Sequence, residues 1–170
     1  IHSGDSACCL PAVSLGKTAL STIRTWSTAL AQALKVCGLI NLQFAVQRDA
    51  EGEEVVYIIE ANPRASRTVP FVAKATGKPL AQLATRLMAG ESLADVGLTT
   101  EPQPPLQSIK EAVLPFRRFP GADTVLGPEM RSTGEVMGSA DSFGMAYAKA
   151  ELGAGEALPT SGRVFLSTHD

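Results

Sequence analysis

The stretch that most constrains the fold is "VVYIIEANPRASRTVPF", Val55 to Phe71. It opens as an apolar, β-branched run of the kind that fills a sheet. It then places a carboxylate, an amide and a guanidinium at alternate positions, Glu60, Asn62 and Arg64. Side chains of a strand alternate between its two faces, so these three groups share one face and Ile59, Ala61 and Pro63 lie on the other.

A second strand precedes it. "LINLQFAVQ", Leu39 to Gln47, is joined to the first by the turn-forming "RDAEGEE". The two read as an antiparallel hairpin. A two-residue turn at Glu51-Gly52 pairs Ala50 with Glu53, Gln47 with Val56, Ala45 with Ile58 and Gln43 with Glu60. Ladder partners share a face. Asn41, Gln43, Glu60, Asn62 and Arg64 are then expected as one polar cluster on a hairpin whose other face is apolar. A carboxylate with amide oxygens is a hard donor set of the kind magnesium takes, its shell completed by water and phosphate. An arginine at the rim suits a phosphate oxygen. The competing reading is a solvated sheet face with no role, since such faces are common on hairpins.

Elsewhere the pattern is mostly helical. Leu20, Ile23, Trp26, Leu30 and Leu34 recur at helical spacing after Ser14 or Lys17, with Gly38 placed as the C-terminal cap and Trp26 in the core. "VPFVAKATG" is a short helix closing at Gly77. "KPLAQLATRLMAG" carries Pro79 in its first turn, and "ESLADVG" adds a turn capped by Ser92. "SIKEAVLPF" and "TGEVMG" read as strands. "SADSFGMAYAKAELG" reads as a helix capped by Ser139 or Asp141, and "RVFLSTH" as a strand beginning near the end of the chain. "LTTEPQPPLQ" and "AGEALPTSG" are surface connections. "FRRF", Phe116 to Phe119, reads as a solvated basic pair between two anchoring rings. Glu129 and Arg131 are candidates for an ion pair.

Composition limits the alternatives. A net charge of -2 with one Trp and two Tyr argues against a nucleic-acid binder. Cys8, Cys9 and Cys37 form no metal-ligand spacing, and buried thiols in a reducing cytoplasm are the better reading than a strained vicinal disulfide. No membrane-length apolar run is visible. The chain opens on Ile1 in "IHSGDSACCLP", which reads as an entry in mid-domain and leads us to expect a piece of a longer protein.

"IEANPRASRTVPFVAKATG" after "NLQFAV" resembles the ATP-grasp ligases. Together with "HSGDSACCLP", "MAGESL", "LPFRRFPGAD" and "LGPEMRSTGEVMG" it is similar, over essentially the whole chain, to the large subunits of bacterial carbamoyl-phosphate synthetases. "RTVPF" after "NPRAS" is similar to the second, carbamate-phosphorylating half of that subunit. The resemblance implies an α+β fold, the carboxy-terminal lobe of an ATP-grasp domain over residues 1–155. Residues 156–170 are then a linker and the first strand of a regulatory domain.

It further implies ATP and two magnesium or manganese ions as cofactors, with potassium a further candidate. Carbamate is the implied second substrate. The implied partners are the remainder of the large subunit and a glutaminase small subunit. By resemblance Gln43, Glu60 and Asn62 are metal ligands, with Gln43 and Glu60 also facing the nucleotide. Arg64 contacts the transferring phosphate, Asn41 stands behind the metal ligands or on the substrate side, and Ile1, His2 and Ser3 pass under the nucleotide. The implied setting is a cytoplasmic ligase of pyrimidine and arginine biosynthesis. The isolated piece is expected to be inactive for want of the upstream phosphate-covering lobe. A folded module without activity and a biotin-dependent carboxylase are the rival readings.

Overall fold

A computed structural model describes residues 2–156 and 158–167. Its contacts divide the chain into two compact units, one formed by residues up to Cys8 with those from Leu106 onward, the other running from Cys9 to Pro105.

The Cys9–Pro105 unit begins with helix α1, Lys17–Ala33. Its N-terminus carries no capping side chain of its own; the backbone N–H of Gly16 instead donates to Glu54 Oε2 at 2.8 Å. A carboxylate is favourable there because the first N–H groups of a helix lack partners and carry positive partial charge. The helix stops at Ala33, before the expected cap at Gly38. Leu34 closes it, and Lys35 takes a left-handed φ of 51°.

Strands β2, Asn41–Arg48, and β3, Glu54–Asn62, form the expected antiparallel hairpin. The turn differs from expectation. Asp49 N–H still donates to the Glu53 carbonyl at 3.0 Å, so the loop holds three residues, Ala50, Glu51 and Gly52. Asp49 Oδ1 accepts from the N–H groups of Glu51 and Glu53, and Gly52 supplies the positive φ of 86° that such a loop requires. Near the turn the pairing is therefore Arg48 with Glu54, Gln47 with Val55 and Ala45 with Tyr57, one residue off the expected register. A β-bulge corrects this. Phe44 pairs with Ile58, Gln43 with Glu60 and Asn41 with Asn62, which leaves Ile59 without a ladder partner.

α1 covers the hairpin face that carries Phe44: the Trp26 and Phe44 rings lie 6.5 Å apart, tilted by 41°. Trp26 is nonetheless 40% exposed, not a core residue as expected, because its ring rests on Phe44 along only part of its surface. Helices α2, Thr68–Thr76, and α3, Leu80–Met88, follow and pack on each other. Gly77 ends α2 in the left-handed conformation, as read from the sequence. Ser92 and Asp95 cap the extra turn through reciprocal hydrogen bonds of 2.6–3.2 Å.

The other unit holds β4, Gln107–Val113, and β5, Gly134–Ala140, paired antiparallel, with the sheet order β1-β4-β5 completed by the short β1, Cys8–Leu10. β4 ends before Pro115, which cannot donate to a ladder and instead opens a 3-10 turn, Pro115–Arg118. Of the two expected anchoring rings Phe116 is partly buried and Phe119 is exposed, while Arg117 donates to the Gly155 carbonyl and Glu156. Helix α4, Phe143–Ala154, lies on this sheet. Its cap is Ser142, whose Oγ accepts from the N–H of Met145. Ser139 is inside β5, where its hydroxyl pairs with Ser108 at 2.9 Å. Gly138 faces the backbone of Ala146 and Ala150, both fully buried, at a distance that leaves no room for a Cβ. Residues 163–167 of the expected terminal strand take no regular structure, and Phe165 is 90% exposed; Thr168 and His169 lie outside the described residues.

The fold is α+β with antiparallel sheets. No disulfide joins the cysteines. Among the described residues no helix is long and apolar enough to cross a membrane.

Candidate functional site

The hairpin brings together four of the five expected cluster residues. Gln43 stands directly opposite Glu60, and Asn41 directly opposite Asn62. All four lie on the face turned away from Phe44, with Ala45 and Tyr57 next along it. Glu60 is exposed, and Asn41, Gln43 and Asn62 are partly buried, so the donors are neither sealed in an apolar interior nor fully solvated.

Within the cluster, Asn62 Nδ2 donates to Glu60 Oε1 at 2.8 Å. This holds the carboxylate beside the amide. An amide presents either its oxygen or its nitrogen by a half-turn of its end group. The same placement therefore offers a carboxylate and the Asn62 and Gln43 amide oxygens to a cation. That donor chemistry fits a hard divalent ion that keeps part of its shell for water and phosphate. Among the described residues no three His, Cys, Asp or Glu side chains gather as an all-protein metal cage.

Arg64 departs from the expected arrangement. Pro63 has no N–H to extend the ladder, and β3 ends at Asn62. The chain bends there, with Arg64 N–H on the Asn62 carbonyl at 2.8 Å, so alternation no longer sets the side chain's direction. Its Nη1 donates to the neighbouring Ala65 carbonyl at 2.9 Å.

His2 and Ser3 belong to the other unit. His2 Nδ1 accepts from Gly4 N–H at 2.9 Å, and the backbone N–H of His2 donates to the Gly127 carbonyl at 3.2 Å. Ser3 starts a 3-10 turn, Ser3–Asp5, and Ile1 lies outside the described residues.

Sequence reading missed Asp5. Its buried carboxylate accepts from the N–H groups of Arg131 and Ser132, both at 2.8 Å, while Ser132 Oγ donates to the Gly4 carbonyl. The "HSGDS" and "GPEMRSTGEVMG" blocks are thereby fastened together. The hydrogen bonding, led by Ser132, holds the Asp5 carboxyl below its ordinary value despite the opposing effect of burial. The one available signal was an acid set among small residues, which has no periodicity. The expected Glu129–Arg131 pair is replaced by a hydrogen bond from Arg131 Nη1 to the Asp123 carbonyl at 3.1 Å. A buried lysine was also missed: Lys110 is 2% exposed, with its Nζ 3.7 Å from Glu135.

Residues 1–96 match the family described as carbamoyl-phosphate synthase L chain, ATP binding domain. The chain belongs to this family. Carbamoyl phosphate synthase large chains of Nostoc sp. and Synechocystis sp. are each 61% identical to it over 170 residues, and that of Haemophilus ducreyi likewise. Those matches take in 100% of this chain and 15% of each relative, so it spans a small part of their length. Among solved structures, a biotin carboxylase domain of a single-chain bacterial carboxylase superposes with a TM-score of 0.54. It is 31% identical and covers 62% of this chain and 25% of that one. A pyruvate carboxylase of Rhizobium etli, at TM-score 0.53 and 18% identity over 62% of this chain and 10% of that one, supports the fold alone. The architecture is that of an ATP-grasp domain, as the carbamoyl-phosphate synthase L chain family implies.

Proposed function

We propose that this chain is the carboxy-terminal lobe, residues 1–155, of the second ATP-grasp half of a carbamoyl-phosphate synthase large subunit. In this reading residues 156–170 are the linker and first strand of a following regulatory domain. The remainder of the large subunit and a glutaminase small subunit are its partners in a cytoplasmic ligase. The reaction is carbamate plus ATP giving carbamoyl phosphate plus ADP: a carbamate oxygen forms the new bond to the γ-phosphorus as its bond to the ADP oxygen breaks.

The observation that carries this is the Gln43–Glu60 pair with Asn41 and Asn62 beside it on one hairpin face. In our reading Glu60, Gln43 and Asn62 hold two magnesium or manganese ions. When bound, these supply charge neutralisation at the β- and γ-phosphates. Asn62 orients the Glu60 carboxylate through the 2.8 Å hydrogen bond. Asn41 flanks the substrate side. Arg64 sits just past the strand end, where its guanidinium can exchange the Ala65 carbonyl for a phosphate oxygen. For Ile1, His2 and Ser3 the role of facing the nucleotide rests on the family resemblance alone. Catalysis rests on positioning and electrostatics, and no covalent enzyme intermediate is required. The identity of 61% over the whole chain to carbamoyl phosphate synthases favours this reading over a biotin-dependent carboxylase, whose likeness covers 62% of the chain at 31%.

The test is Glu60→Gln in an enzyme of the relatives' full length carrying this segment. Carbamoyl phosphate synthesis falls by about a hundred- to a thousandfold, the scale of losing an electrostatic stabiliser in a site, while circular dichroism and melting temperature stay unchanged. Near-normal turnover would refute the assignment.

A further inference from the structure

The register of the hairpin contains a parity conflict. With a three-residue loop, a regular antiparallel ladder would set Ile59 opposite Gln43 and Glu60 opposite Leu42. Glu60 would then point to the Phe44 face, under α1, and the polar face would hold isoleucine. The bulge at Ile59 reverses this within one residue, immediately before Glu60. A bulge also bends its strand and raises the local twist, so it re-aims the side chain that follows. The bulge residue itself is 64% exposed and is not held by core packing.

We infer that Ile59 is a positioning residue: its extra length of main chain, and not its side chain, aims the Glu60 carboxylate at the amide groups of Gln43 and Asn62. The inference rests on the reading of that cluster as a divalent-cation site and adds the device that forms it. Ligand sets for small cations tolerate misplacement of only about 0.5 Å, so the bend matters as well as the face. Deleting Ile59 separates the two. The deletion leaves Phe44 opposite Ile58 and Gln43 opposite Glu60, so every ladder pair survives and only the bend is lost.

The experiment is titration of the isotopically labelled 170-residue chain with manganese alone, followed by paramagnetic broadening of backbone amide signals. In the unaltered chain broadening centres on residues 43, 60 and 62. Its absence there overturns both the cation reading and this inference. Deletion of Ile59 weakens the manganese effect at those residues by about tenfold, on the scale of losing support to a metal ligand. Ile59→Thr, which keeps the bulge and changes the side chain, binds as the unaltered chain does. If the deletion binds equally well, or if the threonine variant loses binding, the cation site stands and the role of the bulge falls. Cross-strand proton contacts in the unaltered chain give a check that needs no variant: contact of Gln43 with Glu60 supports the inference, and contact of Gln43 with Ile59 overturns it.

Discussion

At the scale of single residues, the groups that hold the molecule together are less conspicuous in sequence than those of the candidate site. Asp5 shows why. Its burial would be costly but for two backbone N–H donors from residues far along the chain. Asp5→Asn retains one acceptor oxygen and turns an NH2 group toward the other N–H. The melting temperature at pH 7 is expected to fall by about 5 °C, from the loss of a charge-assisted hydrogen bond in a chain of this size. The pH dependence has a definite sign. The folded Asp5 carboxyl sits below its ordinary value of 3.8, so its contribution is in place above that pH and is lost as pH falls through the lower folded value. The gap in stability between wild type and Asp5→Asn should therefore close below about pH 4. Thermal melts at pH 7, 5, 4 and 3 decide this; a gap that stays constant would show that the carboxylate's charge plays no part.

At the scale of elements, the hairpin was legible because alternation and turn residues both mark it. Its middle register was not. Sequence alone offered Glu51-Gly52 as a two-residue turn; the structure uses three residues and then a bulge. The two departures cancel at Gln43 and Glu60, so their pairing is read correctly from a partly wrong ladder. Nothing in "YIIEAN" marks which residue bulges, because Ile58 and Ile59 are the same residue type with the same strand preference. The end of α1 and the cap of α4 were misread for a related reason. Gly38 and Ser139 have suitable chemistry, but Lys35 and the β4–β5 ladder decide earlier in the chain. Helix packing on this ladder gives a direct prediction. A Cβ on Gly138 would lie 2.1 Å from the Ala146 carbonyl oxygen and 2.5 Å from the Ala150 nitrogen, both backbone atoms. Gly138→Ala must push α4 off the sheet and should cost about 3 kcal/mol, at the upper end of overpacking penalties. The urea midpoint reads this, and a change below about 0.5 kcal/mol would mean α4 sits further from β5.

At the scale of the whole molecule, the buried set is small. Among the described residues Ile109 is the one large apolar side chain that is fully buried, and most of the remaining core is alanine. Meanwhile Ile59, Met88, Leu152, Val164, Phe165 and Leu166 are exposed. The candidate cluster likewise contributes a single carboxylate, which is a weak holder of a divalent ion unless phosphate completes the shell. Under the proposed function Arg64 and the amides contact only one edge of a triphosphate, and the remaining phosphate contacts come from the rest of the large subunit. Affinity for nucleotide should then be millimolar at best in this chain alone. Magnesium and ATP at 1 mM each are expected to raise its melting temperature by less than about 2 °C, since stabilisation by a ligand near or below its dissociation constant is a fraction of a kcal/mol. Scanning calorimetry with and without nucleotide tests this. A ligand at a hundredfold its dissociation constant adds about 2.7 kcal/mol, so a rise of several degrees would mean that these residues form a complete nucleotide site. The manganese experiment stays informative in either case, because paramagnetic broadening registers occupancies far too small to move a melting curve.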